Sequence, residues 1–177
     1  GYPFQESFPN EDLAHALKTA FEREPGHVLQ YGAGDVAAEL DTFLVERAAT
    51  RGISVTEDEV VVTNGSSQAI DLVCRVCLDR GDFIMSEAPT FMGALRSFRN
   101  FSVTCLGCDL DDEGVVTDDI EEELVRRRKR GLPIPKFFYT IPNHQNPKGV
   151  TMSLERRREL LELASEFDFI IVEDDAY

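Results

Sequence analysis

The chain has 177 residues, of which 42% are hydrophobic and 29% are charged, so it can bury one sizeable core without the disulfides of a small secreted scaffold. Its 33 acidic and 18 basic residues give a formal charge of −15, which disfavours sequence-independent binding to nucleic acid or to anionic membranes. No apolar run approaches the ~20 residues of a membrane-spanning helix, and we therefore expect a soluble, cytoplasmic protein with no membrane or nucleic-acid partner.

The hydrophobic pattern predicts an N-terminal lead-in followed by alternating strands and helices. Helices are predicted over residues 11–24, 35–51, 66–78, 91–100, 117–130 and 153–167, and strands over residues 59–63, 82–86, 102–106, 136–141 and 169–173. This alternation predicts an α/β/α fold, in which a mostly parallel sheet carries helices on both faces. No linker or repeat divides the chain, so we expect an N-terminal segment over residues 1–34 and one domain over residues 35–177.

The basic residues are unevenly divided, because only four of the 18 are lysines. Surfaces rich in acids and poor in lysine bind water and cations and stay soluble where salt screens ordinary charges. This pattern favours a halophile-like cytoplasm of high ionic strength. An acidic protein from an ordinary cytoplasm is the alternative.

A small-residue turn, Asn64-Gly65-Ser66-Ser67, follows the first predicted strand and begins a helix. Backbone N–H groups, two hydroxyls and the helix dipole at such a turn suit an anion such as phosphate. An ordinary helix cap is the alternative. The turn is not a P-loop, because no Gly-Lys-Ser/Thr follows it.

Three consecutive acids, Glu173, Asp174 and Asp175, follow the strongly apolar end of the last predicted strand. A carboxylate buried there needs a cationic partner, which could be a metal ion or a cationic heterocycle. Glu87 and His144 lie near other strand ends, but no metal-ligand spacing accompanies them. We therefore predict no metal site.

Four motifs, in order along the chain, resemble those of the class I/II aminotransferases, which are pyridoxal-phosphate enzymes of fold type I. The motifs are Gly-Ser-Ser-Gln at residues 65–68, Glu-Ala-Pro-Thr-Phe at 87–91, Pro-Asn-His-Gln-Asn-Pro-Lys-Gly at 142–149 and Val-Glu-Asp-Asp-Ala-Tyr at 172–177. The resemblance is strongest to the branch with the aminoadipate/kynurenine aminotransferases and the aminotransferase-like regulator domains. It implies an incomplete large domain from a homodimeric enzyme of amino acid metabolism that exchanges an amino group between an amino acid and a 2-oxo acid.

The resemblance also implies a set of pyridoxal 5′-phosphate contacts. Gly65, Ser66 and Ser67 would hold the phosphate, and Phe91 would stack on the pyridine ring. Asn146 and Tyr177 would hydrogen-bond the phenolic oxygen, while Asp174 would pair with the pyridinium N–H and keep it protonated. Tyr31 would reach the cofactor phosphate of a partner subunit, and Gly1 would begin the segment that lines the substrate pocket.

Lysines mark two departures from the family pattern. Lys148 replaces the Thr of the family's Asn-Pro-Thr-Gly and lies in a tight turn, so we do not expect it to form a Schiff base. In the family that lysine follows the Asp-x-x-Tyr strand, so we expect the catalytic lysine beyond Tyr177 and no activity from this chain alone. An effector-sensing regulator domain and another pyridoxal-phosphate reaction, such as a β-lyase or synthase, are the alternatives, and the residues present do not select an amino acid.

Two Cys-x-x-Cys units, at residues 74–77 and 105–108, have the pattern of a four-thiolate zinc site. Cys74 and Cys77 fall inside a predicted helix on an apolar stripe, with no turn that would wrap a metal ion. We therefore predict that the cysteines pack in the core as free thiols.

Overall fold

The computed structural model describes residues 4–30 and 34–177. The chain divides into two compact units, Gly1–Val62 and Thr63–Tyr177. Within the described ranges, each helix is either too short or too polar to cross a bilayer.

The first unit contains two helices, α1 (Asn10–Arg23) and α2 (Gly34–Thr50), and two short 3-10 turns, Gln5–Ser7 and Glu57–Glu59. Acidic residues in the first turn of α1 and Arg23 in its last turn complement the helix dipole. The apolar side chains along α1, including Leu13 and Leu17, are exposed.

The prediction of a strand over residues 59–63 is wrong. Glu59 ends a 3-10 turn that is closed by a capping box with Thr56. The chain is extended at Val60, with φ −109° and ψ 130°, but residues 60–63 join no β-ladder among the residues that the structure describes. Val61 and Val62 are 73% and 53% exposed, so neither packs as a strand residue would. A valine-rich segment becomes a strand only where a neighbouring strand pairs with it.

The second unit is built on a sheet of five strands, β1 (Phe83–Ala88), β2 (Thr104–Asp111), β3 (Gly114–Val115), β4 (Phe137–Thr140) and β5 (Ile170–Glu173). Their order in the sheet is β3-β2-β1-β4-β5. Pairings β2-β1, β1-β4 and β4-β5 are parallel, and the short β3 pairs antiparallel with β2. The helices of this unit are α3 (Ser66–Cys77), α4 (Met92–Asn100), α5 (Thr117–Lys129) and α6 (Leu154–Phe167).

Successive residues of the central strands point to opposite faces of the sheet and bury two separate cores. Phe137 and Tyr139 pack with side chains of α3 and α4, in what we call the front core. Phe138 packs with side chains of α5 and α6, in the rear core. The predicted mostly parallel sheet with helices on both faces is therefore confirmed.

The four cysteines are free and belong to these cores rather than to one cluster. Cys74 lies in the front core and Cys108 in the rear core, and burial raises the pKa of their thiols to about 11 and about 12. Core packing is thus confirmed for both. Across residues 4–30 and 34–177, no group of three or more His, Cys, Asp or Glu side chains is placed to hold a metal ion.

Candidate functional site

A cleft of about 270 Å³ lies between the first turns of α3 and the end of β5. Ser66, Ile70 and Val73 line it from α3, and Tyr139 lines it from β4. Residues 172–176 complete the lining. The cleft therefore combines a helix N-terminus, which attracts anions, with apolar walls and the carboxylates that follow β5.

The turn before α3 depends on Gly65, whose φ of 81° is a left-handed conformation that other residues rarely adopt. An added Cβ there would meet no atom within 4 Å, so the restriction comes from the backbone and not from space. The N–H groups of Ser66 and Ser67 belong to the first turn, where an α-helix offers them no acceptor. Gly65, Ser66 and Ser67 are exposed, and the turn therefore presents N–H and hydroxyl donors to a ligand.

Asp174 is half-buried and is held from two directions. Its backbone N–H donates to the carbonyl of Thr140 at 2.9 Å, and its Oδ2 accepts a hydrogen bond from the Tyr139 hydroxyl at 2.6 Å. Burial, and then the neighbouring Asp174, raises the pKa of Tyr139 far above its ordinary value, so that hydroxyl keeps its proton and remains a donor. Within the described residues, Oδ1 of Asp174 accepts no hydrogen bond, and it is therefore open to a ligand.

The loop after β4 is tied to the segment after β5 through Asn143. Its Nδ2 donates to Oδ1 of Asp175 at 2.8 Å, and its Oδ1 accepts from Nη2 of Arg157 at 2.8 Å. Arg157 also donates to the carbonyls of Pro142 and Met152. The two segments are thus anchored to the start of α6.

A buried polar network lies at the carboxyl end of β1. Glu87, which is 2% exposed, accepts hydrogen bonds from the Thr140 hydroxyl, from the Ile141 N–H at 3.2 Å and from Gln145 Nε2 at 3.0 Å. Burial raises the pKa of Glu87, against the opposing effect of these donors. Gln145 is also 2% exposed, and its amide bonds the carbonyl of Pro89 at 2.8 Å as well. The network therefore joins the segment before α4 to the loop of residues 143–149.

Phe91, Asn146 and Tyr177 lie on the loops that follow β1, β4 and β5, and none of them lines the cleft. Phe91 directly precedes α4, and its ring covers Gly93, where an added Cβ would lie 2.4 Å from the ring. Asn146 is half-buried, whereas Tyr177 is 65% exposed with its ring centroid 6.4 Å from that of His144.

Of the remaining residues with predicted roles, Ser66 and Asp174 share the cleft, with Gly65 and Ser67 beside Ser66 in sequence. Gly1 and Tyr31 lie outside the described residues. Lys148 directs its Nζ to the carbonyl of Leu110 at 2.7 Å, at the end of β2, which agrees with a structural role for this lysine.

Sequence reasoning did not identify Tyr139 or Gln145 as site residues, and it gave Glu87 no hydrogen-bonding role. Tyr139 lies in β4, Phe137–Thr140, in which every residue is buried. A tyrosine buried in such a strand needs a hydrogen-bond partner for its hydroxyl, and this need is the signal that could have pointed to Tyr139.

The chain matches the family model for aminotransferase class I and II over residues 2–177. It is 42% identical to aromatic-amino-acid aminotransferase 1 of Thermococcus litoralis and 40% identical to 2-aminoadipate transaminase of Thermus thermophilus, covering 100% of this chain and 42% of each relative. The chain belongs to the class I and II aminotransferase family, and the resemblance carried by its motifs is confirmed. It spans about two fifths of the length of the curated relatives that it matches.

Solved structures agree with this assignment. An archaeal alanine:glyoxylate aminotransferase matches with a TM-score of 0.90 and 36% identity, over 99% of this chain and 43% of that one. The α-aminoadipate aminotransferase of Thermus thermophilus, complexed with N-(5′-phosphopyridoxyl)-L-leucine, matches with a TM-score of 0.87 and 37% identity, over 100% of this chain and 43% of that one. The fold is therefore that of the N-terminal portion of these enzymes.

Proposed function

We propose that the chain is the N-terminal part of a pyridoxal-phosphate-dependent aminotransferase, which exchanges an amino group between an amino acid and a 2-oxo acid. The observation that carries the proposal is the cleft, where the N-terminus of α3 and the Asp174 carboxylate line one cavity. Family membership and relatives named as aminotransferases support it. They give no support to the regulator or lyase alternatives.

The residues of the cleft fit pyridoxal phosphate in three respects. The donors at Ser66 and Ser67 suit a phosphate group at a helix N-terminus. The half-buried carboxylate of Asp174, with Oδ1 open, suits a pyridinium N–H, while the side chains of Ile70 and Val73 offer apolar surface to a ring. These features are the chemistry of a cationic heterocycle carrying a phosphate.

When bound, the cofactor supplies an electron sink for negative charge that develops at the substrate Cα. Asp174 would hold the proton at the ring nitrogen, and Gly65, Ser66 and Ser67 would bind the phosphate. We propose that Phe91 covers one face of the ring and that Asn146 and Tyr177 hydrogen-bond its phenolic oxygen. The lysine that moves the proton at the substrate Cα would follow Tyr177 in the full-length protein, so this chain alone would be inactive.

The assembly and setting follow from the same proposal. The protein would be a homodimer in which Tyr31 reaches the partner's cofactor phosphate and Gly1 belongs to the segment beside the substrate. Residues 1–34 would form that contact segment, and residues 35–177 would belong to the large domain. The formal charge of −15 supports a soluble protein in a cytoplasm of high ionic strength.

The test is Asp174→Ala in the full-length protein, loaded with cofactor. We expect kcat to fall at least about a hundredfold, the cost of removing a preorganised charge from an active site, while the cofactor's visible absorbance remains after desalting. Glu122→Ala is the matched control, because it removes an exposed carboxylate on α5 that does not line the cleft, and we expect turnover within about threefold of wild type. Near-normal turnover in Asp174→Ala would contradict the assignment of this carboxylate.

A further inference from the structure

We infer that Tyr139 is a positioning residue, whose hydroxyl fixes the Asp174 carboxylate in the orientation that meets the ring nitrogen of the cofactor. The inference rests on the proposed function and deepens it. Neither the motifs nor the names of the relatives assign a role to this tyrosine, which lies 35 residues before Asp174 in the chain.

Strand register places the two side chains on the same face of the sheet. Tyr139 of β4 is paired with Val172 of β5, and paired residues of neighbouring strands share a face. Asp174 lies two residues beyond Val172, so its side chain returns to that face, and its backbone N–H continues the pairing by donating to Thr140. The contact of 2.6 Å between the Tyr139 hydroxyl and Asp174 Oδ2 is therefore set by the sheet itself.

The tyrosine ring is held in the front core. Tyr139 is 0% exposed, and its ring meets that of Phe98 edge-on with centroids 5.5 Å apart. Val73, which lines the same cleft, packs against this core. Because the ring is packed on its sides, its hydroxyl has a fixed position. A donor in a fixed position restricts the rotation of the carboxylate to which it is hydrogen-bonded.

The surroundings of the Tyr139 hydroxyl also favour its protonated form, which is the form that donates a hydrogen bond. Burial raises the pKa of Tyr139, and the nearby carboxylates of Asp174 and Glu87 raise it further, because an ionised tyrosine would face two like charges. The same surroundings therefore favour the hydrogen bond from Tyr139 to Asp174. Any buried hydroxyl needs a hydrogen-bond partner, so the bond to Asp174 would also be present if Tyr139 had only a structural role. A test of the positioning role must therefore measure a property of the bound cofactor.

The test is Tyr139→Phe in the full-length protein reconstituted with pyridoxal phosphate. The substitution keeps the ring and removes one hydrogen bond to a charged acceptor, and we expect kcat to fall about tenfold. The readout besides turnover is the pH titration of the bound cofactor's visible band. The proton on the ring nitrogen carries positive charge, which opposes the binding of a second proton elsewhere on the cofactor. When Asp174 holds the ring proton less firmly, this opposition weakens, and the pH midpoint of the visible band should rise by about half a unit or more.

Thr117→Val is the matched control, because it also removes a buried hydroxyl that donates to a carboxylate, that of Glu159, away from the cleft. We expect it to lower the melting temperature and to leave the titration midpoint and kcat unchanged. In an Asp174→Asn background, Tyr139→Phe should change kcat less than about twofold, since residues that act as a unit are not additive.

The outcomes separate the two proposals. Failure of the wild-type full-length protein to bind pyridoxal phosphate would overturn the proposed function, and this inference with it. Normal cofactor binding, with Tyr139→Phe giving a wild-type titration midpoint or a full additional loss in the Asp174→Asn background, would overturn the inference alone. A raised midpoint together with non-additivity would establish it.

Discussion

Replacing Gln145 with leucine should lower the free energy of unfolding by about 3 kcal/mol, although this residue has no proposed contact with the cofactor. Leucine is close to glutamine in size and accepts burial, so the substitution leaves little cavity. The loss comes from the polar network that the amide completes between Glu87, the segment before α4 and the loop of residues 143–149.

The magnitude follows from three hydrogen bonds. Gln145 Nε2 donates to Glu87 at 3.0 Å and to the carbonyl of Pro89 at 2.8 Å, and its Oε1 accepts from the Lys148 N–H at 3.0 Å. The bond to the carboxyl of Glu87 contributes about 1.5–3 kcal/mol, and each neutral bond about 0.5–1.5 kcal/mol. Because all three share one side chain, their losses are not fully additive, and the lower part of the range is expected.

Urea unfolding of the full-length protein without cofactor measures this loss, since bound cofactor would add its own stabilisation. Gln68→Leu is the control: its exposed amide oxygen accepts one hydrogen bond, from the Asn64 N–H, and we expect a loss below about 1 kcal/mol. A loss below about 1 kcal/mol for Gln145→Leu itself would refute the reasoning, because it would mean that the three hydrogen bonds of the buried amide contribute little to the free energy of unfolding.

Two further predictions concern charge. Burial raises the folded-state pKa of Glu87, so its contribution to stability is full below the unfolded pKa of about 4.3 and is lost as pH rises through the folded pKa. The free energy of unfolding of the wild type, minus that of Glu87→Gln, should therefore decrease from pH 4 to pH 8. The decrease should be about 1.4 kcal/mol for each unit of difference between the folded and unfolded pKa values. A difference that does not change with pH in urea unfolding would contradict this. The formal charge of −15 predicts a melting temperature at least about 3 °C higher in 2 M KCl than in dilute buffer, and no gain in calorimetry would contradict adaptation to high salt.

Most of the fold could be predicted because hydrophobic periodicity records which faces are buried. In β4, every residue from Phe137 to Thr140 is buried, as expected of a parallel strand covered by helices on both sides. The failure at residues 60–63 has a physical cause, since the β-propensity of three valines describes a surface that suits a sheet but does not supply the neighbouring strand.

Residues of the candidate site could be predicted only where a short segment carries its own chemical signal, as in the turn before α3 and in the acids that follow β5. Gly65, Ser66 and Ser67 form one turn, and their chemistry can be read from that turn alone. The contact of Tyr139 with Asp174 and that of Glu87 with Gln145 join residues 35 and 58 positions apart. Strand register and side-chain rotamers create these contacts, and neither is visible in the local pattern of a single sequence.

The separation of the front and rear cores by the sheet has a consequence for engineering the protein. Neighbouring residues such as Phe137 and Phe138 pack against different helices, so a change of side-chain volume at one is felt mainly on its own side. The cleft is lined from the front, by Tyr139 and by α3. Rear-core positions such as Leu124 and Leu160 therefore offer a region where stabilising substitutions could accumulate with little disturbance of the residues that meet the ligand.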